Sequence, residues 1–158
     1  MVSVLTTSSD LQDQLNKVKA LEKLVTFRVA VLSKRLDQQV VELLADTPLN
    51  LTSYRVMRVI ETFEAISISD ISRYIVIDRG QVSRTAMELA RLALVEFRRD
   101  DASKRKKIVA LTGQGQALMQ QITPRFDQRQ KALIEGLGEA DFAALTQGLN
   151  KLARVLSH

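Results

Sequence analysis

The sequence contains no cysteine, and its single histidine is His158, the last residue printed. The lack of cysteine excludes disulfides, thiolate nucleophiles, thiol redox sensing and zinc sites built on cysteine. A histidine at a chain end is a poor catalytic candidate, because chain ends fray. There is also no glycine-rich phosphate loop and no metal-ligand spacing, which leaves carboxylates and lysines for chemistry. We therefore expect no enzyme and no cofactor, and we name no catalytic, cofactor-binding or metal-binding residue.

Proline and glycine are scarce, with two and six residues among 158, and tryptophan is absent. A chain of this length that is rich in leucine, valine and alanine favours one α-rich domain with its own core. No apolar run reaches membrane-spanning length, and the start, MVSVLTTSSD, lacks the cationic and apolar regions of a signal peptide. We therefore expect a cytoplasmic protein without a membrane partner.

The formal net charge of +5 is concentrated in one segment of the chain. Residues 79–107 carry nine Lys/Arg and four Asp/Glu, whereas the fourteen basic and fourteen acidic residues elsewhere cancel. A focused positive charge is the electrostatic footprint of a polyanion binder. A solvated hairpin is the alternative, so the neighbouring elements decide between the two interpretations.

Two short helices joined by a short turn are predicted before and within this basic segment. Ser67 and Asp78 are candidate N-caps, and the turn runs from Ile75 to Asp78. The second helix has an apolar arc opposite a polar face that carries arginine, which is the pattern of a helix-turn-helix. The arc comprises Val82, Ala86, Leu89, Ala90 and Ala93, and the opposite face comprises Gly80, Gln81, Arg84, Met87, Glu88 and Arg91, with Ser83 at its border.

Two strands, LVEFRR and KKIVALT, are predicted to follow this helix, and the charged stretch DDASKR between them forms the tip of a hairpin. A hairpin in this position is a wing. Its cations then stand beside Arg79 and Arg84, so we predict that both sets face one surface. Arginine at a narrow tip suits insertion into a minor groove.

Both ends of the chain are predicted to be helical, because apolar residues recur every three or four positions. Residues from about 10 to 45 form one long helix or two in succession, closed by Pro48, and the next helix begins near Thr52, whose hydroxyl can cap it. After Thr112, another candidate cap, a helix kinked at Pro124 precedes a final helix. A winged unit of about 60 residues cannot bury the apolar stripes of both ends, so we expect a second copy of the chain to cover them. The stripes comprise Leu21, Val25, Val29, Leu32, Leu36, Val40 and Leu43 near the start, and Leu145, Leu149, Leu152 and Leu156 near the end.

Three segments resemble the MarR family (multiple antibiotic resistance regulators), whose members are dimeric winged helix-turn-helix repressors and activators. Leu51 and Thr52 open the helix before the helix-turn-helix. IDRGQVSRTAMELARLALVEFRRD, residues 77–100, resembles the recognition helix and first wing strand. SKRKKIVALTGQG, residues 103–115, resembles the D-R-R wing motif followed by V-x-L-T-x-x-G. The order and spacing of the helices fit the family from about residue 21 to 156.

Two positions depart from the family pattern. The wing aspartate is Ser103 here, with Lys104 and Arg105 in place of two arginines, so another acid orients the wing arginine or the wing is looser. The glycine that commonly ends the recognition helix is Ala93. Because alanine is strained at positive φ, we expect this turn to differ in detail.

The resemblance implies DNA contacts on the recognition helix and the wing. The DNA-binding candidates are Arg79, Gln81, Ser83, Arg84, Met87, Ser103, Lys104 and Arg105, with Arg73 on the preceding helix as a weaker phosphate candidate. The alternative for Arg84 is a surface salt bridge with Glu88, four residues on. The alternative for Met87 is packing under the wing.

The resemblance also implies a small-molecule pocket between the dimerisation helices and the winged region, often for phenolic or other aromatic acids. Tyr54, Arg55 and Arg58 lie near that junction and could bind a small aromatic or anionic ligand. The alternative for all three is a structural role.

We therefore interpret residues 1–158 as one domain, in which residues 48–112 bind DNA and residues 1–47 and 113–158 form the dimerisation helices. The predicted function is a homodimeric, sequence-specific transcription regulator of double-stranded DNA with a pseudo-palindromic operator, acting as a repressor that a small ligand releases. The alternative is a helical interaction protein of the same fold that binds a protein partner rather than DNA.

Overall fold

The computed structural model describes residues 8–100 and 103–156, and the side chains of residues 11–99 and 107–156. The chain divides into two units, Met1–Ala45 and Asp46–His158. In chain order the elements are α1 (Ser8–Glu22), α2 (Val25–Leu43), α3 (Leu51–Phe63), β1 (Ala65–Ser67), α4 (Ile68–Ile75), α5 (Arg79–Arg91), β2 (Val95–Asp100), β3 (Ser103–Leu111), α6 (Gly113–Leu137) and α7 (Glu139–Leu156). The prediction of a mainly helical chain with a two-stranded hairpin is confirmed.

The first unit contains α1 and α2, so the predicted helical segment forms two helices in succession. The break lies at Leu24, which takes an extended conformation and provides no side-chain cap. Pro48 does not close α2, because that helix ends at Leu43, five residues earlier. The apolar side chains of the predicted stripe are exposed from Leu21 to Leu36.

In the second unit, α3 begins with a reciprocal cap between Asn50 and Ser53. The Asn50 side chain accepts from the Ser53 backbone N–H at 2.9 Å, and the Ser53 hydroxyl oxygen accepts from the Asn50 N–H at 2.8 Å. This arrangement satisfies two amides that the helix leaves unpaired. The prediction that Thr52 caps this helix is therefore wrong, since Thr52 lies inside the first turn.

The three strands form one antiparallel sheet in the order β1-β3-β2. Val109 of β3, the central strand, lies opposite Ile66 of β1 and Phe97 of β2. The sequence interpretation included β2 and β3 but not β1, which spans only three residues. The core between this sheet and the helices consists of side chains with at most 1% of their surface exposed: Val56, Met57, Ile60, Ile71, Val82, Ala86, Leu89, Val109, Met119 and Ile122.

The predicted caps of α4, α5 and α6 are confirmed. The Ser67 hydroxyl accepts from the Asp70 N–H at 3.2 Å, and the Asp78 carboxylate accepts from the Gln81 N–H at 3.1 Å. The Thr112 hydroxyl accepts from the Gly115 N–H at 3.0 Å. Each side-chain oxygen pairs with an amide that has no partner within its helix, which fixes where the helix begins.

The last two helices present an apolar stripe to the surface. α6 continues through Pro124 to Leu137, and α7 follows after Gly138. On α7, Leu145, Leu149 and Leu156 are exposed. Within the part of the chain that the structure describes, no helix is both long and apolar enough to cross a membrane.

Candidate nucleic-acid interface

Helix α5 is attached to the core by one side. Val82, Thr85, Ala86 and Leu89 are buried, and the helix packs on α3 and α4. The opposite side is therefore turned outward, and Arg79, Gln81, Arg84, Met87, Glu88 and Arg91 are exposed, while Ser83 is half-buried. The predicted division of this helix into two faces is present, except that Ala93 lies beyond the helix end and is exposed.

A groove of about 570 Å³ joins α5 to the wing strands and to the first turn of α4. Its lining residues are Ser67, Ile68, Ser69, Arg79, Ser83, Met87, Phe97 and Lys107. Arg79 of α5 and Lys107 of β3 therefore lie along the same groove, which Met87 of α5 and Phe97 of β2 also line. Cations from both elements thus face one surface, and Met87, which is exposed, lines the same groove.

Arg84 lies on the first half of α5, with its guanidinium close to Gly80. A Cβ built at Gly80 would lie 3.4 Å from Arg84 Nη1 and 2.9 Å from the Asp78 carboxylate. The glycine therefore leaves room at the helix start for both polar groups. Arg84 forms no ion pair with Glu88 or with any other side chain in residues 11–99 and 107–156. Among these described side chains, no acid competes with an outside anion for the Arg84 guanidinium.

Two other cations of the region are held by neighbouring acids. Arg73 forms an ion pair with Asp70 within α4. On β2, Arg98 Nε donates to Glu96 at 2.8 Å. Arg98 lines a different groove, with Glu61 and Glu64, because successive residues of a strand point to opposite faces. The positive charge of residues 79–107 is thus divided between two surfaces.

The side chains at the wing tip lie outside the described residues. This applies to the DNA-binding candidates Ser103, Lys104 and Arg105 and to the acids Asp100 and Asp101. The backbone of the hairpin pairs Asp100 with Ser103, with an irregularity in register between Arg99 and Asp100. The predicted contacts of the tip therefore stay predictions.

Lys107 and Phe97 are groove residues that the sequence interpretation did not single out. The signal was present in the alternation of β2, which directs Phe97 and Arg98 to opposite faces. The opposition of Arg99 and Lys107 across the hairpin follows from the same register.

Tyr54, Arg55 and Arg58 lie together on α3, where they line a second groove of about 400 Å³ with Val59, Tyr74 and Ile75. The Tyr54 ring stacks on Phe126 of α6, with ring centroids 4.3 Å apart. Arg58 donates to Glu61 at 2.6 Å. Burial raises the pKa of the Tyr54 hydroxyl, against the opposing effects of the nearby arginines. The structure thus brings the three candidates together, with Tyr54 and Arg58 already engaged by neighbours.

The aromatic stack continues onto Arg129, whose guanidinium carbon lies 6.0 Å from the centroid of the Phe126 ring. Within the residues that the structure describes, one terminal nitrogen of Arg129 is buried without a hydrogen-bond partner. Neither Phe126 nor Arg129 was singled out from the sequence, since both lie on the long helix α6 without a distinguishing motif.

The model of the MarR family matches residues 47–106, which run from the start of the second unit into β3. Among curated proteins, none matches the sequence significantly. A MarR/EmrR family transcriptional regulator from Acinetobacter sp. ADP1 has the same fold, with a TM-score of 0.79 and 24% identity over 87% of this chain and 97% of that one.

Two further structures with this fold are described together with a small molecule. NadR in complex with 4-hydroxyphenylacetate has a TM-score of 0.73 and 20% identity, over 85% of this chain and 98% of that one. BpsR of Bordetella bronchiseptica, whose DNA binding is regulated by 6-hydroxynicotinic acid, has a TM-score of 0.65 and 26% identity, over 80% and 98%. The model of the MarR family thus matches residues 47–106, and most of the chain shares the fold of these solved structures.

Proposed function

We propose that the chain is a homodimeric, sequence-specific DNA-binding transcription regulator, a repressor that a small ligand releases from a pseudo-palindromic operator. The observation that carries the proposal is the groove in which Arg79 of α5 and Lys107 of β3 lie together. When a helix and a wing present cations on one protein surface, these cations can contact the DNA phosphates on both sides of the DNA groove that the helix enters.

On this proposal, α5 enters the major groove with its first half. Arg84 grips guanine or phosphate, and Gln81 and Ser83 donate to or accept from bases and phosphates. Arg79 and Lys107 neutralise phosphate. Met87 contacts a thymine methyl from its position beside Phe97. At the tip, Ser103, Lys104 and Arg105 reach the minor groove, and Arg73 serves as a phosphate contact once it leaves Asp70.

The dimer is supported by the apolar residues that stay exposed in a single chain. On α7, Leu149 is 50% exposed, and Leu145 and Leu156 lie on the same side of the helix. On α2, Val25, Val29 and Leu32 are likewise exposed. Contiguous apolar stripes of this kind are covered in stable proteins, and two-fold pairing covers them on both copies at once.

The ligand is proposed to be a small aromatic or anionic compound bound near Tyr54, Arg55 and Arg58. This class is supported by NadR and BpsR, each of which is described with a hydroxylated aromatic acid. A ligand that prefers the dimer geometry in which the two α5 helices do not fit DNA lowers operator occupancy by shifting the population.

The proposal is tested by selecting bound duplexes from a random pool with the purified protein at two salt concentrations. A regulator of this kind enriches a two-fold symmetric site, with half-sites about one helical turn apart. Its affinity for all sequences falls steeply with salt, because phosphate contacts release counterions. Failure to enrich any site, with no salt dependence, would instead favour a protein partner.

A further inference from the structure

We infer that Thr112 is a positioning residue for the recognition helix, acting by fixing the turn between α5 and β2 against the start of α6. This inference rests on the proposed function, since its consequence is measured as DNA affinity. The described hydrogen bonds of the Thr112 hydroxyl and N–H go to Ala93, Leu94 and Gly115, none of which is a DNA-binding candidate. An effect of Thr112 on DNA binding would therefore be transmitted through the turn.

The turn that Thr112 contacts ends α5 in a Schellman motif. The Ala93 N–H donates to the Ala90 carbonyl at 3.0 Å, and the Leu94 N–H donates to the Leu89 carbonyl at 2.9 Å. Such a motif places its penultimate residue in the left-handed region, and Ala93 has φ of 55°. The turn therefore keeps the geometry usually given to glycine, in contrast to the expectation that it would differ in detail.

Three hydrogen bonds of Thr112 join this turn to α6. The Thr112 hydroxyl donates to the Ala93 carbonyl at 2.5 Å and accepts from the Gly115 N–H at 3.0 Å. The Thr112 N–H donates to the Leu94 carbonyl at 3.1 Å. One residue thus caps α6 and holds the two consecutive carbonyls at the end of the recognition helix. A residue that only capped α6 would need just the bond from the Gly115 N–H to its hydroxyl.

Gly115 packs directly against the same turn. A Cβ built at Gly115 would lie 2.0 Å from the Leu94 carbonyl oxygen, much closer than any real contact. The first turn of α6 therefore touches the backbone between α5 and β2 without an intervening side chain. Thr112 and Gly115, three residues apart on one helix turn, form a clamp on Leu94.

The clamp lies where the recognition helix, the wing and α6 meet. On the proposed function, α6 belongs to the dimerisation region, so the orientation of α5 relative to its symmetry mate depends on how α5 is fixed to α6. Loss of the hydroxyl donor frees the Ala93 carbonyl and lets the end of α5 shift. A shift of this kind disturbs base contacts, which need alignment, more than phosphate contacts.

The experiment compares Thr112→Ser, Thr112→Val and Thr112→Asp in the full-length protein. Serine keeps both hydroxyl functions. Valine has the same shape without the hydroxyl. Aspartate still caps α6, because its carboxylate accepts from the Gly115 N–H, but when ionised it cannot donate to Ala93. The aspartate variant thereby separates the capping function from the positioning function.

Affinity is measured for the selected operator and for a random duplex of the same length, and helix content is monitored by circular dichroism. We expect Thr112→Ser to bind both as wild type does. Thr112→Val and Thr112→Asp should lose about threefold to tenfold in the ratio of specific to non-specific affinity, the scale of one hydrogen bond.

The inference is overturned if Thr112→Val and Thr112→Asp both keep the wild-type ratio of specific to non-specific affinity. It is also overturned if this ratio falls in Thr112→Val alone and helix content falls with it. An equal loss for both duplexes overturns it as well. A wild-type protein that selects no operator is a different result, because it rejects the proposed function before the variants are compared.

Discussion

Arg125 of α6 binds Asp46 at the start of the second unit with both ends of its guanidinium, and Arg125 Nη2 lies 2.7 Å from Asp46 Oδ2. The two residues are 79 positions apart in sequence. A fork-to-fork pair of this type fixes direction as well as distance. It ties the segment that leads into α3 to the middle of α6.

This pair predicts a dependence of stability on pH. The hydrogen bond from Arg125 lowers the pKa of the Asp46 carboxyl below 3.8, its ordinary value. A carboxyl group whose pKa is lower in the folded than in the unfolded state stabilises the fold. The stabilisation is complete at pH values above the unfolded-state pKa, and it is lost as the pH falls through the folded-state pKa. We expect Asp46→Asn to lower the urea midpoint at neutral pH and to have no effect in acid well below 3.8.

Asp46 is exposed and Arg125 is only half-buried, so the expected effect is small. Asp127→Asn, which changes another exposed acid of the same unit, serves as the control and should leave the midpoint unchanged at both pH values. A difference between wild type and Asp46→Asn that persists in strong acid would contradict the assignment.

Replacing Ala93 by glycine should stabilise the protein. Ala93 has φ of 55°, where an L-residue with a Cβ costs roughly 1–2 kcal/mol. Glycine removes this strain. The greater conformational entropy of the unfolded glycine variant offsets part of the gain, by about 0.4–1 kcal/mol. The net gain should be about 0.5–1 kcal/mol, measured by urea unfolding.

Ala90→Gly is the matched control for this variant. Ala90 lies in the last turn of the same helix with ordinary helical geometry, so glycine there should destabilise by up to about 1 kcal/mol. Opposite signs at two positions three residues apart would locate the strain at Ala93. A loss of stability in both variants would show that Ala93 is not strained.

The sequence predicted the features of this fold that depend on neighbouring residues. Ser67, Asp78 and Thr112 were identified as caps because a short polar side chain preceded a helical pattern, and each accepts a bond from the amide three residues on. Thr52 fitted the same rule but lost to Asn50, whose reciprocal bond with Ser53 decides the start of α3. Two cap candidates only two residues apart, Asn50 and Thr52, cannot be ranked without knowledge of that pairing.

Features that depend on distant residues were less accessible. Strand β1 exists because Ile66 pairs with Val109, and three residues carry no alternation of their own. For the basic segment, the excess charge was interpreted as one surface, whereas Arg98 lies on the other side of the sheet from Lys107. The total charge of a segment says nothing of how a strand divides it between faces.

Arg84 should determine specific binding to the operator. Removing its side chain in Arg84→Ala should weaken specific binding by about 1–3 kcal/mol. Arg84→Lys distinguishes a phosphate contact from a guanine contact. Lysine can replace an arginine that binds phosphate, because it supplies the same charge, but it cannot replace an arginine that binds guanine through two hydrogen bonds. Binding curves for both variants on the selected operator provide the measurement. Wild-type affinity in Arg84→Ala would remove this residue from the interface.

Lys107 should contribute to the salt dependence of DNA binding. Removing one phosphate-binding cation lowers the slope of log affinity against log salt by about 0.9. We expect a change of this size for Lys107→Ala on any duplex. Arg98→Ala removes the same charge from the same hairpin, but Arg98 is paired with Glu96 and lines the other groove. Arg98→Ala should therefore leave the salt slope unchanged. If Lys107→Ala and Arg98→Ala lower the slope equally, the DNA interface is not confined to one side of the hairpin.

Leu149 provides the test of dimerisation. It lies half-exposed on α7 with Leu145 on the same side, so a glutamate there places a charge in any interface that covers the stripe. Leu149→Glu should therefore raise the dimer dissociation constant by a factor of ten or more, roughly the cost of burying one poorly paired charge, while helix content is kept. Sedimentation equilibrium measures the dissociation constant.

Gln147→Glu adds the same charge about 200° around the helix and should leave the dimer intact. If wild type and both variants sediment as monomers, the apolar stripe does not mediate self-association, and the pairing of two recognition helices on one operator fails with it.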